Sequence, residues 1–130
     1  MDTVKKVGAM ILRDRTLLVV REHGSSHFMS VGGRPEQGET PLQTLEREVQ
    51  EELGVRVSRE TPLGTFRGVT LDGHPIEMVT FLAEVEGEPA PCSEIEELAW
   101  VGRDFEARGL LLAPLLRQQV IPSLVRKGLL

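Results

Sequence analysis

Apolar residues recur along this chain at two different periods, and the changes between them predict its elements. Val4 to Leu12 and Thr16 to Arg21 are short apolar-rich runs of strand type, joined by a turn at Arg13-Asp14-Arg15. A polar loop, Glu22 to His27, leads to a third run, Phe28-Met29-Ser30-Val31, which delivers Gly32 and Gly33. The spacing then becomes helical, with Leu42, Leu45, Val49 and Leu53 forming one stripe. Beyond it, Val55 to Val57 and Leu63 to Val69 read as extended, Asp72-Gly73 as a turn, and Ile76 to Val85 as a strong strand. Gly87 to Pro91 is a loop and Leu98 to Val101 a short strand carrying Trp100. Leu111 to Arg126 reads as a second amphipathic helix, interrupted at Pro122. Without repeats or linkers, the pattern predicts one α+β domain over residues 1–130.

The first helix has well-written ends. Thr40 is a good N-cap, Pro41 suits the first turn where its missing N–H is harmless, and Gly54 supplies a left-handed C′ residue. Its polar face is unusual. With Glu48 at zero on a helical wheel, Glu51 and Glu52 fall at about −60° and +40°, so three carboxylates share a face. Like charges so placed weaken a helix by a few tenths of a kcal/mol per pair, roughly, which points to an absent cation. Oxygen ligands in a partly open cluster suit a hard divalent ion, Mg²⁺ or Mn²⁺. The apolar stripe lies beside this face, at about 60° to 140°, where a cleft wall would be. Arg47 can pair with Glu48 or Glu51, either to orient a carboxylate or as an ordinary surface pair.

Charge and composition narrow the partners. Net charge is −5, and five acidic residues lie between Glu39 and Glu52, which argues against a nucleic-acid binder. The single cysteine, Cys92, allows no intrachain disulfide and has no metal-ligand neighbours. The N-terminal MDTVKKVGAM lacks a signal-peptide core, and the longest apolar run, Leu110 to Leu116, is too short to span a bilayer. The expectation is a soluble, cytoplasmic protein that binds neither nucleic acid nor membrane. Monomer and homodimer both remain open, and Leu110 to Leu116 offers an apolar patch.

Gly33, five residues, Glu39, seven residues, and then Arg47-Glu48-Val49-x-Glu51-Glu52-x-Gly54-Val55 resembles a complete Nudix box, with all nine defining positions filled. A chance match is on the order of one in a billion per starting position at average residue frequencies. The resemblance implies the Nudix fold, a mixed β-sheet sandwiched between α-helices (α/β/α). It also implies a MutT-like hydrolase that uses Mg²⁺, with Mn²⁺ as a substitute, to cleave the pyrophosphate of a nucleoside diphosphate linked to another group. Glu48, Glu51 and Glu52 are then metal ligands, Gly33 adds a backbone carbonyl, and Glu48 or a loop glutamate is the base. Glu39 either joins the metal shell through water or braces the loop and helix N-terminus. A further ligand is expected from Glu94, Glu96 or Glu97, with Glu97 and Glu94 preferred. One departure from the family pattern is Val31, where many members have proline.

Substrate contacts are less constrained. Arg21 ends the second strand and is either a phosphate contact or a surface arginine; Lys5, Lys6 and Arg67 are weaker versions of the same idea. Gly32 and Gly33 offer backbone, His23 and His27 flank the loop, and Phe28, Phe66 and Phe81 are either pocket walls or core. The resemblance favours a small-molecule nucleotide, a nucleoside triphosphate or related dinucleotide, because the longer N-terminal portion usual in ADP-ribose hydrolases is not seen. An ADP-ribose or nucleotide-sugar pyrophosphatase, a Nudix domain that binds ligand with little turnover, and an interaction module with a structural acidic helix are the alternatives.

Overall fold

The computed structural model describes all 130 residues. Seven strands form one curled mixed sheet: β1 (Val4–Met10), β2 (Leu12–Arg13), β3 (Thr16–Glu22), β4 (Met29–Gly33), β5 (Arg56–Val69), β6 (Pro75–Glu86) and β7 (Ile95–Val101). Their order is β2-β3-β4-β1-β6-β5, with β7 pairing on β3; β1 and β6 are parallel and every other pairing is antiparallel. Helix α1 (Pro41–Leu53) covers one face, and a C-terminal helical segment ending in α2 (Ile121–Arg126) covers the other.

Strand periodicity builds both cores from the same residues. In β3, Leu17 and Val19 join the cluster that holds Leu116, Val120 and Leu124, while Leu18 and Val20 join the one that holds Leu45, Val49 and Leu53. Side chains alternate across a strand, so a continuous apolar run serves two layers at once. All of these side chains are essentially inaccessible to solvent. Burying a leucine stabilises the fold by roughly 1.5–3 kcal/mol, so the α1 stripe is enough to seat the helix on the sheet.

The ends of α1 form as the sequence predicts. Thr40 accepts from the Gln43 N–H while the Gln43 side chain accepts from the Thr40 N–H, a reciprocal capping box, and Gly54 takes φ 69° to close the helix.

Elsewhere the boundaries move, for identifiable reasons. β1 ends at Met10, and Leu12 and Arg13 turn back onto β3 through Asp14 and Arg15, both with positive φ. The two extended segments expected around Pro62 are one strand, β5, with register shifts at Val57/Arg59 and at Pro62/Gly64. β5 lies at the sheet edge, where a missing N–H is tolerated and bulges absorb the irregularity. β7 begins at Ile95 and not Leu98, so Glu96 and Glu97 lie in a strand.

The second helix begins at Pro114, because Leu112 is used in a bridge to Phe28. Interruption at Pro122 takes the form of a π-helical turn, Leu116–Val120, in which the Ile121 N–H reaches back to the Leu116 carbonyl. The wider turn relieves the proline ring against the preceding carbonyls. No helix is long and apolar enough to cross a membrane.

Candidate active site

Strand β4 and helix α1 meet along a seam made possible by two glycines. Gly32 sits at φ 141°, and a methyl group there would overlap the Val7 carbonyl; one at Gly33 would overlap the Glu48 carboxyl group. With no side chain in the way, α1 lays its acidic face against bare backbone. Glu52 accepts from the Gly32 N–H at 2.9 Å, and the Glu48 carboxyl group packs on Gly33.

Behind this seam Arg47 acts as a hub. Its Nε and Nη2 donate to the two oxygens of Glu39 at 2.7 and 2.9 Å, its Nη1 donates to Glu48 at 2.6 Å and Glu51 at 3.3 Å, and Nη2 also reaches the Arg34 carbonyl at 3.0 Å. Glu39 accepts in addition from the Glu36 N–H and the Thr44 hydroxyl. It is therefore the brace for loop and arginine, and Arg47 together with that N–H holds its carboxyl down at about 2. Thr44, buried inside α1, is a component of this brace that the apolar pattern did not reveal.

The two inner carboxylates behave differently. Burial pushes Glu48 upward against the pull of Arg47, and burial, reinforced by Glu48, pushes Glu52 up to about 8. Two crowded carboxylates with free lone pairs aimed at a cavity form a donor set that suits a cation. No three acidic, histidine or cysteine side chains converge into a ready-made metal cage.

The cavity holds about 650 Å³. Gly32, Gly33, Glu48 and Glu52 line it, as do Lys6, His27 and Glu94; Glu51 is not part of the lining and is exposed, with Arg47 donating to it. Several residues singled out in the sequence lie elsewhere. Arg21 donates to Glu96 at 2.8 Å, to Glu97 at 3.0 and 3.2 Å and to the Ser25 carbonyl, so it is committed outside the cavity, and Glu97 with it. Phe28 is core, and its backbone pairs with Leu111 and Ala113. His23 pairs with Glu96, while Lys5 and Arg67 share Glu77. Phe66 and Phe81 pack against the two cores, and Trp100 lies under the Arg13 guanidinium.

Three features of the cavity escaped sequence reasoning. Glu22 lines it, and the alternation Leu18, Val20, Glu22 carried the signal, since every second residue of β3 faces α1. Arg34, next to the paired glycines, stands at the rim. The β5–β6 hairpin contributes Val69, Thr70, Leu71, Asp72 and His74, which the local pattern marked as a strand end and a turn but not as part of a site.

Comparison with known proteins accords with this geometry. A family model described as NUDIX domain matches residues 2–113. The chain is similar to the E. coli ORF135 protein, at 25% identity over 98% of this chain and 94% of that one, with a TM-score of 0.74. It is similar to a MutT NUDIX hydrolase from Burkholderia pseudomallei, at 25% identity over 80% and 86%, TM-score 0.70. The MutT protein from Methanosarcina mazei Go1 shares the fold, at 19% identity over 98% of each chain and a TM-score of 0.80. No curated protein sequence matches the chain.

Proposed function

The chain belongs to the NUDIX domain family, hydrolases of nucleoside diphosphate derivatives, and on that premise we propose that it cleaves the pyrophosphate linkage of a nucleoside triphosphate or related dinucleotide with Mg²⁺. The observation that supports this most directly is the seam itself, where Glu48 and Glu52 share one cavity wall against glycine backbone. In this reading Glu48 and Glu52 hold the ion, Glu51 is the third carboxylate of the set, and Gly33 offers its carbonyl oxygen. Bound there, a divalent ion supplies neutralisation of diphosphate oxygens and a more acidic water.

The chain's own residues supply the rest. Arg47 fixes the Glu48 carboxylate through the 2.6 Å contact and thereby its direction. The other glutamates that line the cavity, Glu22 and Glu94, are the groups available to take the proton from an attacking water. Glu22 is half-buried at the end of β3 whereas Glu94 is exposed and lies outside any strand, which makes Glu22 the better positioned of the two. The apolar part of the cavity, Val4, Ile76 and Leu115, offers a surface for the nucleoside.

The test is product release with Mg²⁺ and with Mn²⁺ from a panel of nucleoside triphosphates, dinucleoside polyphosphates, ADP-ribose and nucleotide sugars. Glu52→Gln runs beside the unaltered protein. Turnover of one class, lost by at least about 100-fold in the variant, supports the reading, since even groups behind metal ligands are worth 10–100-fold. No turnover across the panel, or a fully active Glu52→Gln, would overturn it.

A further inference from the structure

Lys6 is a cation without a partner. It lies half-buried on β1 and lines the cavity, yet its ammonium takes part in none of the protein's ion pairs or side-chain hydrogen bonds, whereas its neighbour Lys5 is tied to Glu77 at 3.0 Å. No buried side-chain nitrogen or oxygen is sealed away unsatisfied, so the Lys6 ammonium is open to the cavity. Burial lowers its pKa, and the nearby Glu52, Glu22 and Glu48 oppose that shift. Sequestering an ammonium costs free energy, and although these carboxylates offset part of it at a distance, none of them forms an ion pair or hydrogen bond with Lys6.

Its surroundings indicate what completes it. Residues two apart share a strand face, so Val4 and Lys6 stand side by side, while at the next position, Gly8, the side chains of Met78 and Met10 close over the strand. Register pairs Val4 with Ile76 and Lys6 with Met78. On one side of Lys6 is therefore the apolar wall of Val4, Ile76 and Leu115; on the other are the carboxylates of Glu48 and Glu52. A nucleotide has the same layout, with a nucleoside at one end and its phosphate chain at the other. The group at the junction is the phosphate attached to the ribose. An ammonium carries three donors and no acceptor, which suits that group. Arg21 cannot serve, being held by Glu96 and Glu97, and Arg34 is exposed at the rim.

We propose that Lys6 binds the phosphate attached to the nucleoside and so sets the direction in which the substrate lies, nucleoside over Val4 and Ile76 and remaining phosphates over Glu48 and Glu52. This rests on the nucleotide-hydrolase reading and adds to it a residue that recognises one particular phosphate.

The experiment is a chemical-shift titration, with Mg²⁺ present, of the four ribonucleoside 5′-monophosphates and the four parent nucleosides. Unaltered protein, Lys6→Met, Lys6→Arg and Lys5→Met are compared, with Lys6→Gln in reserve should Lys6→Met fail to fold. The unaltered protein should prefer at least one monophosphate over its nucleoside by tenfold or more. Lys6→Met should lose that preference while its nucleoside affinity stays within twofold; Lys6→Arg should restore most of it, and Lys5→Met should match the unaltered protein. A preference that survives in Lys6→Met, or is missing from the unaltered protein, would overturn the assignment. The titration involves no turnover, so a protein that hydrolyses nothing but shows this pattern would sink the hydrolase reading and retain the role of Lys6.

Discussion

Arg47 and Glu39 are joined by a two-point ion pair, Nε to one carboxylate oxygen at 2.7 Å and Nη2 to the other at 2.9 Å, linking mid-helix α1 to the loop before it. Planar guanidinium and planar carboxylate match in a way an ammonium cannot. The same guanidinium then has Nη1 left for Glu48. Loop, helix and inner carboxylate are thus set by one side chain.

Breaking that hub should affect rate before it affects metal binding. Arg47→Ala is expected to slow turnover by about 10–100-fold, with a smaller change in Mn²⁺ affinity, because the carboxylates remain but lose their orientation. Arg47→Lys should recover little. Steady-state kinetics set beside Mn²⁺ titration would check this, and unchanged kinetics in the alanine variant would reduce Arg47 to a surface pair.

A single methyl group on the seam makes a sharper test. In Gly33→Ala the new side chain meets the Glu48 carboxyl group, which must swing away. The expected outcome is a folded protein with weakened divalent-metal binding and lost turnover. Circular dichroism and metal titration would show it, and normal metal affinity would contradict the seam as the ion's seat.

Stability of the metal-free protein should depend on pH through Glu52. Its carboxyl is pushed up to about 8 in the folded state, mainly by burial, against about 4.3 when unfolded. Between those values the folded state keeps a proton that the unfolded chain has released, so stability falls as pH rises through this window. Glu39 works in the opposite sense. Held at about 2, its contribution is present above the unfolded value and is lost as pH falls toward 2. Denaturant midpoints measured from pH 5 to 8 should decline for the unaltered protein and flatten for Glu52→Gln.

Leu45→Ala probes the seat of α1. Leu45 has 0% exposure in the core beneath the helix, so truncation should cost about 2–5 kcal/mol. Thermal or urea unfolding would measure it; a loss well below 1 kcal/mol would mean that the helix is held chiefly by its polar seam.

Interactions within a few residues could be read from the chain directly. The N-cap at Thr40, the turn to Gly54, the shared face of Glu48, Glu51 and Glu52, and the stripe of Leu45, Val49 and Leu53 all follow from helical geometry over one or two turns, whereas the Gln43 half of the capping box came only with the structure. The box from Gly33 to Val55 is legible for the same reason, since a glycine loop feeding a helix is one continuous local unit.

Contacts between distant segments were decided only when the strands paired. Arg21 and Glu22 are adjacent, yet one is committed to Glu96 and Glu97 and the other lines the cavity, because β3 alternates and the register with β7 shifts between them, from Arg21 opposite Glu97 to Glu22 opposite Ile95. Glu97 likewise moved from candidate ligand to ion-pair partner once β7 began at Ile95. Lys5 and Lys6 look equivalent in the sequence; pleating sends one to Glu77 and turns the other into the cavity. A one-residue step in a strand reverses the face, so the local chain determined which residues carry chemistry, and sheet register decided which of them meet.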